Sequence, residues 1–339
     1  MKIAEMRELS PYRLALESLG LSGEDGLEQF VGMAQVAGPE LSAYLGIPIG
    51  ELVPMVNELV GFASQIPQSS LTIIANATYS LGVAINSVPR PNLAPSISLS
   101  TSHSRKSKVS LVEQMPPIRH QKGRGTCVAH ATLAVYEHYL SIQGAYQDLS
   151  EQFLYWNCKR NDGIPGQEGT WLAIALPLLQ REGCCLEETW AYNPIPDPTN
   201  IGQGPPPGGS QLQALTFRVP SYTQLSSTSV DDIKNELNEG RCVAFSIPVF
   251  NSWWGSLRVA HTGDITMPLP NEILTGGHAM CLVGYEDMPD LGLGGGRFIL
   301  RNSWGTDWGI QSLHGAGYGT IPYAYIAKMG AEAYSMGSI

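Results

Sequence analysis

At 339 residues, 43% hydrophobic and 15% charged, the chain can hold one large domain and a small one, with roughly 75% of its extended surface buried on folding. A net charge of −10 excludes nucleic-acid backbones as the natural partner, because a basic face is the usual footprint of that binding. Six cysteines fall far short of the roughly 8–10% that marks a disulfide scaffold. None forms a Cys-x-x-Cys pair and their spacings suit no zinc motif, so neither a metal nor a cofactor is expected.

Met1 to Glu8 carries charge where a secretory signal needs an apolar run, which predicts a cytoplasmic protein. Ser10-Pro11 then gives a helix N-cap followed by proline at the first helical position, and Gly20 stops that helix. Leu27, Phe30, Val31 and Ala34 share one helical face, and Gly38-Pro39 ends the run. Pro39 to Leu45 and Glu51 to Phe62 predict two more helices around the turn Gly46-Ile47-Pro48. Together they suggest a small helical module over residues 1–66, of helix-hairpin-helix type. The acidic balance gives it a protein-contacting or packing role rather than a DNA-binding one.

No residue between Glu58 and Arg90 is charged, but polar side chains such as Gln65, Gln68, Thr72 and Asn76 interrupt it too often for a membrane span of about 20 residues. Leu71 to Ile85 reads as a strand or a hairpin, with periodicity leaving both open. Pro89 to Pro95 breaks any regular element, and Ser96 to Lys108 is a basic, serine-rich linker. Residues 67–108 are therefore expected to connect the module to the main domain, residues 109–339.

The main domain opens on Pro116 to His130. Gln121 stands six positions before Cys127, two glycines lie between them, and an apolar helical run begins at the cysteine. A cysteine in the first turn of a helix feels the positive end of the helix dipole and unpaired N–H groups, which favour its thiolate. The same N–H groups can receive an oxyanion, and the Gln121 amide can supply a second donor. Ser150 to Cys158 and Thr170 to Arg181 predict two further helices, each preceded by a capping residue, and Ser229 with Asp232 starts another, running to Glu239. Cys242 to Val249, His278 to Tyr285 and Arg297 to Asn302 predict strands. The glycine cluster Gly292 to Gly296 feeds a strand rather than a helix, so it reads as a hairpin tip and not a phosphate loop.

Three motifs agree in order and chemistry: Cys127 at a helix start, Gly276-Gly277-His278 at the head of a strand, and Asn302-Ser303-Trp304-Gly305 at the end of another. In these the chain resembles the papain-like cysteine peptidases, especially their bacterial cytoplasmic branch. His278 follows Cys127 by 151 positions (278 minus 127), close to the roughly 130–150 of papain. The likeness runs from about Met115 to Ile326 and includes Leu149-Ser150-Glu151-Gln152, Gln167-Glu168-Gly169-Thr170-Trp171 and Gly317-Tyr318-Gly319. Papain has a tryptophan after its nucleophile and a disulfide-bonded cysteine three positions before it; this chain has Val128 and Arg124.

The resemblance implies an α+β, two-lobed papain-like fold, with a helical lobe and a β-barrel-like lobe behind the N-terminal module. It implies an endopeptidase in which Cys127 is the nucleophile, His278 the base, Asn302 its orienter and Gln121 an oxyanion donor, with Gly169, Gly277 and Trp304 binding substrate. Trp171, Cys242 and Tyr323 are further candidates for the cleft wall, and Phe250 to Ile273 resembles an insert that borders its primed side. The other histidines read as surface or core residues. Two rival readings use the same residues: acyl transfer to an amine, or a catalytically silent peptide-binding scaffold. The partner is a peptide or protein substrate, with a possible protein partner for the N-terminal module. That module lies where the family often carries an inhibitory segment, but its compact helices suit docking better, since a cleft-filling peptide is expected to run extended.

Overall fold

The computed structural model describes residues 2–21, 23, 26–63, 65–84, 105–289 and 294–337. The chain begins with the helices α1 (Arg13–Ser18), α2 (Gly26–Val36), α3 (Gly38–Leu45), α4 (Ile49–Val60) and α5 (Gln68–Asn76). Gly46, at a φ of 69°, ends α3 in the left-handed conformation that glycine adopts at no steric cost. The stretch expected to be a strand or hairpin is thus helical in its first half. Pro67 fixes the entry to α5, the Thr72 hydroxyl bonds back to the Gln68 carbonyl, and Ile74 is buried. From Ala77 the chain is extended up to Ala84. Residues 85–104, and with them most of the expected linker, lie outside the described residues, as does Gly292.

The main body carries β1 (Lys108–Ser110), then α6 (Cys127–Ile142), α7 (Glu151–Asn161), α8 (Leu172–Arg181) and α9 (Ser210–Ala214). β2 (Tyr222–Gln224), α10 (Val230–Asn238), β3 (Val243–Phe250), α11 (Asn251–Trp254) and α12 (Leu257–Thr262) follow. The chain closes with β4 (Leu274–Asp287), β5 (Gly296–Arg301), β6 (Tyr318–Pro322), α13 (Tyr323–Met329) and β7 (Glu332–Met336). The expected β-rich lobe is one seven-stranded antiparallel sheet in the order β2-β7-β3-β4-β5-β6, with β1 paired to β4. β4 and β5 form the hairpin expected around the glycine cluster.

α6 is buried from Cys127 to His138, so it packs as a central helix between the helical lobe and the sheet. Ser150 caps α7 through Phe153 N–H at 3.0 Å, and Ser229 caps α10 through Asp232 N–H at 3.1 Å, both as their sequence positions predict. Thr170 does not cap α8. The Glu332 carboxylate, brought from β7, accepts Leu172 N–H at 3.3 Å and Ala173 N–H at 2.8 Å, tying the helical lobe to the sheet.

The N-terminal helices lie against the insert before His278. Gln29 donates to the Thr262 hydroxyl at 3.0 Å, Asn251 to the Val36 carbonyl at 2.8 Å, and Met267 N–H to the Leu19 carbonyl at 3.2 Å. Gly32 permits the close approach of α2: a Cβ there would lie 3.0 Å from Ser256 Oγ and 3.1 Å from Arg258 Cβ. Among the described residues no helix is long and apolar enough to cross a membrane, and no group of acidic, histidine or cysteine side chains could hold a metal ion.

Candidate active site

Four stretches converge where α6 meets the sheet. Cys127 is the first residue of α6 and is fully buried. The Ala279 N–H points at its sulfur from 3.4 Å, so β4 brings His278, the residue before Ala279, to the same place. β5 ends at Arg301, and the next residue, Asn302, presents its Oδ1 to His278 Nε2 at 2.8 Å. Trp304 covers that contact, stacking on the imidazole with ring centroids 4.5 Å apart. The other imidazole nitrogen, Nδ1, is buried with no hydrogen-bond partner among the described residues.

Gln121 is anchored on almost every polar atom. Its N–H donates to the Ser303 carbonyl at 2.9 Å, and its carbonyl accepts from the Tyr192 hydroxyl at 2.8 Å. Ser303 Oγ donates to Oε1 at 2.6 Å, and Nε2 donates to the Arg124 and Ser80 carbonyls, each at 2.9 Å. One donor direction is therefore taken by the N-terminal segment.

That segment, Tyr79 to Ala84, runs extended through the cleft. The Tyr79 ring stacks on Trp304 with centroids 4.9 Å apart. Ser80 O also accepts Trp304 Nε1 at 3.1 Å. Gly82 N–H and Val83 N–H donate to the Gly277 carbonyl at 3.1 and 3.0 Å, Thr170 N–H donates to Gly82 O at 3.0 Å, and Trp171 Nε1 donates to Ala84 O at 2.9 Å. A Cβ on Gly82 would lie 2.2 Å from the Gly125 carbonyl oxygen, so only glycine passes this point.

Gly277, Trp304 and Trp171 thus line the cleft. Gly169 contributes space rather than a hydrogen bond to it: its N–H donates to the Tyr155 hydroxyl at 3.0 Å, and the amide turned toward the segment is that of Thr170. Two candidate wall residues are elsewhere. Cys242 is buried with its thiol 3.5 Å from the Met115 sulfur, and Tyr323 packs on Phe298 and donates to Asp287. The insert borders Trp304 through Trp253 and Trp254, with centroids 5.9 and 5.4 Å away.

Burial dominates the electrostatics of the filled cleft. It pushes the Cys127 thiol up to about 12 against four N–H groups, those of Ala279, Val128, Gly82 and Cys127 itself, that favour the thiolate. His278 falls to about 4, burial outweighing the Asn302 bond that favours its cation. With the segment in place the pair is held as neutral thiol and neutral imidazole, not as the ion pair that a helix-start cysteine beside a histidine suggests. His120, beside Tyr79, is also lowered to about 4, by burial and then by Lys122.

Ser303, Tyr192 and the Tyr79–Ala84 segment were not legible as parts of the site. Ser303 stood inside the Asn302 motif, but its grip on Gln121 depends on a partner 182 positions away. For the segment the one signal was an uncharged stretch with no periodicity.

The pattern of the family described as papain family cysteine protease matches residues 103–330. An uncharacterized peptidase C1-like protein of Acanthamoeba polyphaga mimivirus is 28% identical over 214 residues, covering 60% of this chain and 63% of its own length. Cysteine proteinase 1 of Entamoeba histolytica is 25% identical over 203 residues, covering 58% of each chain. The chain spans about three fifths of the length of these curated relatives. Among solved structures, xylellain, a cysteine protease from Xylella fastidiosa, superposes with a TM-score of 0.63 at 23% identity, over 78% of this chain and 98% of its own. Digestive procathepsin L 3 of Tenebrio molitor larval midgut superposes at 0.54 and 18% identity, over 98% and 100%. These two likenesses concern the fold.

Proposed function

The chain belongs to the papain family of cysteine proteases, and from that premise we propose that it is a cysteine endopeptidase whose cleft is closed by its own residues 79–84. The observation that carries the reading is the His278 ring: fixed by Asn302 on one nitrogen and by Trp304 on its face, it keeps Nδ1 unpaired one residue from the amide that meets the Cys127 sulfur.

When a substrate replaces the segment, His278 Nδ1 takes the Cys127 proton and the thiolate attacks the peptide carbonyl carbon. The carbonyl electron pair moves onto oxygen, which the Cys127 N–H and Gln121 Nε2 receive; the latter is the donor that Ser80 O occupies in the closed form. Collapse of the oxyanion breaks the C–N bond, and the imidazolium returns its proton to the departing amine. His278 then takes a proton from water, the hydroxide displaces the thioester sulfur, and the thiol is restored. Thr170 N–H and Gly277 O, which hold the segment's main chain, would hold a peptide's main chain in the same way. Acyl transfer would use the same steps with an amine in place of water, but no feature of the cleft favours an amine.

The test is the chain from Arg105 onward, incubated with a peptide library and read by mass spectrometry, beside its Cys127→Ala variant. Internal cleavage that vanishes in the variant is expected. Cleavage that survives in Cys127→Ala removes the reading, and products shortened only from one end remove its endopeptidase part. Residence in a reducing cytoplasm, as for bacterial members, belongs to the same proposal. It rests on the six cysteines, all of them free thiols, and a fractionation experiment that recovers the chain outside the cytoplasm would refute it.

A further inference from the structure

Arg124 occupies the position where the resemblance leads one to expect a disulfide-bonded cysteine, and its side chain is fully buried. Two of its three nitrogens donate, to neutral partners: Nη1 to Gln152 Oε1 at 2.7 Å and the Asn193 carbonyl at 2.6 Å, Nη2 to the Ile201 carbonyl at 3.2 Å, while Nε is buried with no hydrogen-bond partner among the described residues. Its Cζ lies over two tyrosine rings, 5.3 Å from the centroid of Tyr155 and 5.2 Å from that of Tyr192.

Each tyrosine carries the contact on to a different part of the cleft. The Tyr192 hydroxyl donates to the Gln121 carbonyl and lies 2.8 Å from the Thr126 hydroxyl, so it braces the arm that ends in Cys127. The Tyr155 hydroxyl donates to Glu168 at 3.2 Å and accepts Gly169 N–H at 3.0 Å, while Glu168 accepts Gly125 N–H at 2.6 Å. Arg124 also accepts from Gln121 Nε2 through its own carbonyl. One side chain therefore indexes the oxyanion donor on one side and the substrate wall on the other. A lysine reproduces the charge but neither the flat face nor the fork of donors.

We propose that Arg124 is a positioning residue for the peptidase reaction: a non-covalent staple that sets Gln121 through Tyr192 and the Gly169–Thr170 wall through Tyr155. The inference rests on the reading of Cys127 and Gln121 given above, and its test separates the two. Turnover of a peptide develops an oxyanion and needs Gln121, whereas alkylation of Cys127 by iodoacetamide is a displacement at carbon and develops none. Both are measured on the full chain, so the opening of the 79–84 segment, common to both, cancels in their ratio.

Tyr192→Phe keeps the ring under the guanidinium and loses only the hydroxyl. It is expected to lower kcat about tenfold, with KM and the alkylation rate within threefold of the original. Tyr155→Phe is expected to raise KM severalfold with kcat little changed, the mark of lost uniform binding. Arg124→Lys is expected to show both effects, with the ratio of turnover to alkylation down 30-fold or more. Turnover and alkylation falling in proportion, or neither falling, in Tyr192→Phe and Arg124→Lys would overturn the proposal, and Tyr192→Phe decides alone if the arginine variant does not fold. A chain from Arg105 onward that alkylates at Cys127 without cleaving peptides sinks the peptidase reading and this inference with it.

Discussion

Two stretches of chain meet at the thiol, and they are held in opposite ways. Gln121 to Cys127 is fixed by side chains: Arg124 against its tyrosines and Gln152, Glu168 on Gly125 N–H, Ser303 on Gln121. Tyr79 to Ala84 is held largely through its own main-chain groups, by Gly277 O, Thr170 N–H, Gln121 Nε2, Trp304 Nε1 and Trp171 Nε1. Any extended peptide carries those groups. In the proposed peptidase the first stretch is machinery and the second is exchangeable, and the difference follows from whether recognition uses side chains or backbone.

Removing the exchangeable stretch is the harshest way to break this comparison. If the segment leaves the cleft open in about one molecule in a hundred, the chain from Arg105 onward should turn over a small reporter about 100-fold faster than the full chain. Because truncation also strips the helices from α12, Gly82→Val in the full chain is the cleaner variant. Its first side-chain carbon cannot sit 2.2 Å from the Gly125 oxygen, so a comparable rise is expected. Unchanged turnover in both would mean that the segment leaves the cleft at no cost.

On the fixed side, Asn302→Ala removes the oxygen that holds His278 Nε2, and a loss of about 30-fold in kcat is expected, on the order of 2 kcal/mol. Iodoacetamide should still label Cys127. Loss of labelling with turnover would show that Asn302 holds the fold rather than the ring.

Acid should loosen the exchangeable stretch. His278 titrates near 4 in the closed form, and opening returns it to water and toward its ordinary value near 6.5. Below that pH the open form binds a proton that the closed form refuses, so closure is fully favoured above about 6.5 and weakens as pH falls toward 4. His120, lowered to about 4 beside Tyr79, acts in the same direction. Amide exchange of Gly82 and Val83, corrected for the intrinsic pH dependence, should speed up on the order of tenfold between pH 6.5 and 4.5. A flat profile would show that His278 stays dry when the cleft opens. The smallest effect expected is that of Tyr79→Ala, a rise in turnover of about fivefold, since its contacts with the Trp304 and His120 rings and its long hydroxyl bond to the Asp307 carbonyl are partly exposed and together contribute roughly 1 kcal/mol. A rise as large as that of Gly82→Val would move the weight of closure from the backbone to this ring.

The same division explains what the amino-acid sequence made legible. Cys127, His278 and Asn302 announce themselves because each belongs to a pattern that is local: a helix start, an apolar run after two glycines, a strand end before a tryptophan; β4 begins four residues before His278, so the glycines lie within the strand. The lobes, α7 and α10 with their caps, and the β4–β5 hairpin were readable for that reason. Tyr79 to Ala84 was not, since a segment bound by its backbone has no side-chain signature and its partners lie up to about two hundred positions away. Arg124 was visible only as a missing cysteine. Its meaning depends on Tyr155 and Tyr192, which come to it from separate elements. Cys242 and Tyr323 lie away from the cleft because each flanks an element turned elsewhere: Cys242 precedes β3 and meets Met115, and Tyr323 opens α13 and donates to Asp287.

The seating of the N-terminal helices on α11 and α12 turns closure into a lock with two tethers. The residues that fill the cleft begin three positions after α5, whose helical neighbours bond to Thr262, Asn251 and Met267. A single cut after Ala84 would free one end of the segment and leave the other attached, still presented to the cleft at the high local concentration of a short link. A nicked chain would stay silent until the helices themselves let go of the insert. Opening would then require two events in sequence, and a stray proteolytic cut would not be enough to set the proposed peptidase loose.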